Sequence, residues 1–243
     1  MYKFLPLTFV LFIFACSSPP LDMSEEEIDA YIASVVDPEK IYDIRESLRF
    51  SKDDEAYEVT EYSNSDSVIL YLTEYTTETD LRQLYIYYKD GFPVYIEEYY
   101  YEFPQEYYKV TERKIYLNGE DVMVAYERTA NTDEGIEEAE FEEKDVPYTN
   151  YDLSKPKDAL AQNGEFEMKF GEFLVINPDS YLILDNNKSG WGAALYIIEG
   201  DMLLDNLFEN PDAYQGKTIE VHHEFMIMNG IERMIYRGGI LKE

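Results

Sequence analysis

The feature that most restricts the fold is a succession of strand-like runs between residues 67 and 128, broken by tight-turn dipeptides. The runs are 67–75 (SVILYLTEY), 83–89 (QLYIYYK), 93–102 (PVYIEEYYYE), 106–117 and 122–128. β-Branched and aromatic side chains dominate them, and such side chains suit a pleated surface. Asp90-Gly91 and Asn118-Gly119 are hairpin turn signals, because the central turn positions need positive φ. Consecutive hairpins predict an antiparallel meander. The two hairpins also resemble each other 28 residues apart: Tyr88-Lys89-Asp90-Gly91 with Val94 and Ile96, against Tyr116-Leu117-Asn118-Gly119 with Val122 and Val124. Two copies fall short of a solenoid.

Side chains alternate along a strand, so the runs predict two unlike faces. Val68, Leu70 and Leu72, then Leu84 and Ile86, then Val94 and Ile96 make an aliphatic face. Tyr71, Tyr75, Tyr85, Tyr87, Tyr95, Tyr99 and Tyr101 make a tyrosine face. Residues 57–126 hold 15 of the 24 tyrosines. Tyrosine offers rigid area with a polar tip, so Tyr71, Tyr85, Tyr87, Tyr95 and Tyr99 are the candidate contact surface. Ahead of the sheet, Ser24 and Glu27 form a capping-box pattern. Ile28, Tyr31, Ile32 and Val35 follow at helical spacing. This helix is expected on the aliphatic face, with a second short helix over 38–48. The acid-rich stretch 131–145 reads as a solvated loop or a charged edge strand that blocks aggregation.

The C-terminal part has a different element order. Phe166, Met168 and Phe170 alternate with charged residues, and the phase shifts after Gly171 to Phe173 and Val175. A glycine at a phase shift predicts a β-bulge. Further strands are expected over 181–185, 191–198, 217–227 and from Gly230 to Leu241, with a short helix over 201–208. Ile219, Val221, His223, Phe225 and Ile227 fall on one face. Three strands, a helix and two strands over 164–242 resemble the OB-fold, a five-stranded Greek-key barrel. Tyr181, Trp191 and Tyr196 are a candidate ligand platform on it. The expected fold class is therefore mainly β (α+β): an N-terminal helix plus antiparallel meander over 25–149, a linker over 150–163, and an OB-like barrel with one short helix over 164–243.

The chain begins with Lys3 and an apolar run from Leu7 to Ala15, which has the layout of a secretory signal peptide over 1–15. The run is too short to span a bilayer, which takes about 20 residues. Ile13-Phe14-Ala15-Cys16 resembles the lipobox of bacterial lipoprotein precursors, with Phe14 larger than the usual residue at its position. The resemblance implies cleavage before Cys16, lipid attachment at Cys16 and a short tether over 16–24. It also implies an extracytoplasmic, membrane-anchored address, in the outer membrane of a two-membrane cell. Cys16 is the sole cysteine, so an internal disulfide and a cysteine-rich zinc site are excluded.

Charge and missing motifs narrow the function. The net charge is -31, with 35 acids against 12 bases over residues 23–155. Nucleic acid needs a basic footprint, so it is not an expected partner. Asp185, Asn187, Ser189 and Gly190 match the opening of a calcium loop, but its twelfth position is Tyr196 rather than Glu. His222 and His223 are adjacent in a strand and point apart, so no metal site or cofactor is expected, and His223 reads as a core histidine. No nucleophile elbow or phosphate-binding glycine loop occurs. The sequence therefore points to a non-catalytic binding or envelope-scaffold protein held to the membrane by lipid, with a protein or carbohydrate partner in the envelope. An acidic inhibitor or immunity-type protein for a basic envelope enzyme, and a carboxylate-dependent hydrolase, are the alternatives.

Overall fold

The computed structural model describes residues 22–65, 67–103, 108–119 and 121–242. The signal segment, Cys16 and the first part of the tether lie outside the described residues. Helix α1 (Glu25–Val35) opens the described chain, and its capping box forms as expected, with Ser24 and Glu27 satisfying each other's backbone N–H. The strands are β1 (Asp43–Glu46), β2 (Phe50–Lys52), β3 (Glu55–Asn64), β4 (Ser67–Thr76), β5 (Asp80–Lys89), β6 (Phe92–Glu102), β7 (Lys109–Asn118) and β8 (Asp121–Ala130). After them come α2 (Asp133–Glu138), β9 (Glu142–Glu143) and α3 (Lys155–Leu160). The C-terminal part holds β10 (Lys169–Ile176), β11 (Asp179–Asp185), β12 (Gly192–Tyr196), α4 (Met202–Glu209), α5 (Pro211–Tyr214), β13 (Ile219–Met228) and β14 (Ile231–Leu241).

All the strands belong to one large mixed sheet that is not closed. β4 to β8 form the expected antiparallel meander, and β3 extends it by pairing with β4. β2 joins it to the C-terminal strands, pairing with β3 on one side and meeting β12 at Ser51 opposite Gly192. β12 and β14 run parallel, and β14 pairs antiparallel with β13. A single bridge, Lys169 opposite Thr218, brings the start of β13 beside β10. The bulge expected at Gly171 is present between Phe170 and Glu172. The acid-rich stretch ends in β9, a two-residue edge strand of two glutamates.

Several expectations need correction. The second helix over 38–48 does not form, because β1 takes residues 43–46 into the sheet against β3. β3 itself was not anticipated, although Tyr57, Val59 and Glu61 alternate with polar and aromatic neighbours. The second hairpin turns one residue later than the sequence match implies. Lys89 pairs with Phe92 around Asp90-Gly91, whereas Asn118 is itself paired, with Asp121.

The tyrosines are also divided differently. Directly opposed residues of an antiparallel pair share a face, and a slip of one residue exchanges faces. Tyr71 pairs with Ile86, Ile86 with Ile96, and Ile96 with Ile115. Leu70 pairs with Tyr87, Tyr87 with Tyr95, and Tyr95 with Tyr116. Tyr71 thus lies on the isoleucine face, and Leu70 and Leu72 lie on the tyrosine face. Helix α1 covers the tyrosine face rather than the aliphatic one: Ile28 and Val35 pack with Tyr87, Val94, Tyr95 and Tyr116. The tyrosine hydroxyls make this possible, because Tyr116 and Tyr126 donate to Asp29 and Glu25 on the helix. A buried ring with a satisfied hydroxyl costs little more than an aliphatic one.

The isoleucine face carries the main core. Tyr71, Ile86, Ile96 and Ile115 pack with Leu160, Phe166, Leu182 and Leu195, so one core runs through both halves of the chain. The stretch read as a linker over 150–163 contains α3, whose Pro156, Ala159 and Leu160 are buried in that core.

Candidate functional site

The isoleucine face changes character toward the turns at residues 77–79. Successive rows there are Thr73, Leu84, Glu98 and Arg113, then Tyr75, Arg82 and Tyr100. Glu98 is 2 % exposed, so its charge must be compensated. Arg82 Nε donates to its Oε1 at 2.6 Å, Arg113 Nη1 to Oε2 at 3.1 Å, and Tyr151 Oη to Oε2 at 2.7 Å. Burial alone would raise the Glu98 carboxyl, but Arg82, Tyr151 and Arg113 outweigh it and hold it below the usual value. Tyr151 ends a short turn at residues 148–150. Its bond to Glu98 pins the 148–156 segment across the sheet.

Between that segment and the sheet lies a cleft of about 420 Å³. Tyr57 and Tyr75 line it from the sheet, Asp152 and Lys155 from the segment, and Glu165 and Trp191 from the C-terminal part. Burial first, and then the neighbouring Glu55 carboxylate, pushes the Tyr75 hydroxyl up to about 12. Burial likewise raises Tyr57. Both hydroxyls therefore stay protonated and can donate at neutral pH. Asp152 accepts from the Ser154 hydroxyl and N–H, which keeps its carboxyl below the usual value.

The rings are assembled from distant parts of the chain. Tyr57 stacks on Phe166 at 5.2 Å between centroids, and Phe166 meets Trp191 at 5.7 Å. The Lys155 ammonium lies 4.7 Å from the Tyr57 centroid, 5.6 Å from Phe166, 5.7 Å from Trp191 and 6.0 Å from Tyr75. Each ring lies within cation–π range. Glu165 bridges this arrangement: Oε1 is 3.4 Å from the Lys155 ammonium, and Oε2 accepts from Trp191 Nε1 at 3.2 Å.

A second cavity of about 550 Å³ lies at the hairpin ends, near Tyr88, Gly91, Tyr148 and Lys157. It is wider and more open, and its walls bring fewer charged groups together.

The residues singled out in the sequence are only partly brought together. Of the contact surface, Tyr87 and Tyr95 are buried under α1, and Tyr71 is buried on the other face. Tyr85 and Tyr99 remain half-buried on the open part of the tyrosine face, edge to face at 6.2 Å. Of the barrel platform, Tyr181 and Tyr196 do meet, with Arg233 over Tyr196 and bonded to the Tyr181 hydroxyl and Asp179. Trp191 belongs instead to the cleft. His223 faces the Ser47 carbonyl at 3.0 Å, and burial lowers its pKa to about 4. Its predicted strand-mates diverge, for Val221 is buried while Ile227 is exposed. Asp185 to Gly190 form a turn organised by Asn186, which accepts from the Lys188 and Ser189 N–H groups and donates to the Glu165 carbonyl. Among the described residues no group of three or more His, Cys, Asp and Glu is placed to hold a metal, and no helix is long and apolar enough to cross a membrane.

Sequence reasoning missed Tyr57, Tyr75 and Lys155 as site residues. The alternation of β3 could have shown Tyr57; nothing in the local sequence marks Lys155. No family model, curated protein or solved structure matches this chain.

Proposed function

We propose that this chain is a lipid-anchored, extracytoplasmic binding protein without catalytic activity, and that its ligand occupies the cleft between Tyr57, Tyr75 and Trp191. The observation that carries this reading is the cleft: aromatic and charged side chains from both halves of the chain converge on one concave space. Ligand sites have this form, an apolar wall with a few placed polar groups. The buried carboxylates Glu98 and Glu112 are held by arginines, which suits a scaffold better than a general acid and base. The apolar run ending at Cys16 supports the anchor, and the outer membrane is its place in a two-membrane cell. The partner is a protein or carbohydrate of the envelope.

The finer architecture belongs to the same proposal. Residues 164–242 are read as an OB-like unit, supported by the pairing order β10-β11-β12-β14-β13, by the parallel contact of β12 with β14 and by the bridge from β13 to β10.

Two experiments test the function. Metabolic labelling with palmitate is expected to mark the chain and to fail in Cys16→Ser; equal labelling of both would remove the anchor. A photo-crosslinker replacing Tyr75 in the native envelope is expected to give a discrete adduct that the same group at exposed Ile41 does not. Identical patterns from the two positions would remove the cleft as the binding site.

A further inference from the structure

The cleft in its present state already holds a cation. Four rings, Tyr57, Tyr75, Phe166 and Trp191, stand within 6.0 Å of the Lys155 ammonium. They come from β3, from β4, from the turn at residues 164–166 and from the residue before β12, so folding of both halves is needed to build the cage. Its lining also includes the carboxylates of Glu55, Asp152 and Glu165, together with Arg82 and with Lys52, whose ammonium lies 6.0 Å from the Trp191 centroid. Ring faces and carboxylates together make a site for positive charge. Three of the four rings are buried, Phe166 fully, Trp191 at 3 % and Tyr57 at 5 % exposure, and Tyr75 is half-buried. Their occupant is more open. Lys155 is the first residue of α3, and its side chain keeps 28 % of its surface open. A long stem at a helix start can swing out without moving the backbone, leaving the rings and Glu165 in place.

Resting on the reading of the cleft as the ligand site, we propose that the ligand presents an alkylammonium group, and that Lys155 is its built-in competitor. An arriving primary or methylated ammonium takes the position of the Lys155 nitrogen against the rings and pairs with Glu165, while Lys155 moves into solvent. The acidic body, at -31, draws cations toward the cleft. Competition with a tethered group weakens binding by the fraction of time the cage is free. Removing the tethered ammonium therefore strengthens binding.

The chain has one tryptophan, and it is a wall of the cage, so its fluorescence reports occupancy. Tetramethylammonium and N-acetyl-lysine methylamide are titrated into the wild type, Lys155→Ala and Lys155→Gln, with glucose as a neutral control. Far-ultraviolet circular dichroism and melting establish that each variant is folded. Both variants are expected to bind tetramethylammonium roughly tenfold tighter than the wild type, a gain on the scale of one desolvated cation–π contact. Tyr57→Leu in the Lys155→Gln background is expected to reverse the gain. Folded variants that bind no more tightly than the wild type overturn the proposal. If glucose shifts the Trp191 emission and the ammonium ions do not, the alkylammonium class is overturned while the cleft remains the ligand site. If the Tyr75 crosslink fails but the ammonium titration succeeds, the cage stands and the envelope partner is lost.

Discussion

Glu97 and Glu98 are consecutive in β6, project from opposite faces of the sheet, and are pushed in opposite directions. Glu98 is held by Arg82, Arg113 and Tyr151, which together overcome its burial and lower its pKa. Glu97 shares its face with Glu112, and burial followed by that like charge raises its pKa despite Lys114 and Arg128. One strand thus carries a carboxylate that stabilises the fold when ionised and a neighbour that stabilises it when protonated.

The two titrate with opposite signs. The contribution of Glu98 is full above the ordinary carboxylate pKa and is lost as pH falls through its lowered folded pKa. The contribution of Glu97 is full below the ordinary value and is lost as pH rises through its raised folded pKa. Glu98→Gln is expected to cost about 3 kcal/mol at pH 7, since it leaves two arginines facing a neutral amide. That cost should shrink as the pH is lowered through the carboxylate range. Glu97→Gln is expected to stay within about 1 kcal/mol at pH 7, on the neutral or stabilising side. Urea midpoints from pH 3 to 8 check both; a pH-independent cost for Glu98→Gln would break the argument.

Gln162 follows α3 with φ of 49° and is 7 % exposed. Its side-chain amide acts as a strand: Nε2 donates to the Val221 carbonyl at 2.7 Å and Oε1 accepts from the Val221 N–H at 3.0 Å. At neutral pH only an amide offers both a donor and an acceptor in this shape. Gln162→Glu should therefore cost more than its size implies, about 2–3 kcal/mol at pH 7, because a carboxylate cannot donate to Val221. Acid should recover part of the loss, when the carboxyl regains a proton. Thermal melts at pH 7 and pH 4 measure this; equal losses at both would refute it.

Helix α1 covers the tyrosine face through Ile28, which has no exposed surface. Ile28→Ala is expected to cost about 2–4 kcal/mol, the range for an emptied aliphatic site in a core. It should also increase the solvent exposure of Tyr87, Tyr95 and Tyr116, seen as faster tyrosine nitration. An Ile28→Ala protein with unchanged nitration would separate the helix from that face.

How much of this was legible in the sequence follows from the range of the interactions. Hairpins and caps are local, so the meander, the Ser24 capping box and the Gly171 bulge could be read directly. Register is a relation between strands. Alternation within 67–75 and 83–89 gives two faces to each, but not which face of one meets which of the other. The bulges at Tyr62/Ser63, Tyr87/Tyr88 and Tyr116/Leu117 also change the phase. Register alone puts Tyr71 opposite Ile86, on the isoleucine face, rather than beside Tyr85 and Tyr87. The cleft was harder still. Lys155 sits in a stretch of polar character like a linker, and only the fold brings Tyr57, Phe166 and Trp191 around it.

Gly171 combines a readable signal with an unreadable reason. The phase shift marks the bulge, but the glycine is required by Asp185 across the β10–β11 pair. A Cβ at this position would stand 2.7 Å from Asp185 Oδ2 and 3.2 Å from the Ile183 carbonyl. The other Asp185 oxygen, Oδ1, is buried without a hydrogen-bond partner, and the Ile183 carbonyl belongs to the strand backbone and cannot turn aside without moving it. Gly171→Ala is therefore expected to cost about 1–3 kcal/mol, the range for overpacking. If the carboxylate is the main obstacle, Asp185→Ala should relieve most of the clash. The double variant should then be more stable than the sum of the single losses by about 1 kcal/mol, a coupling expected of residues in contact. Chemical denaturation of the four proteins closes the cycle. Additive losses would place the strain at the Ile183 carbonyl, in the backbone of the bulge itself.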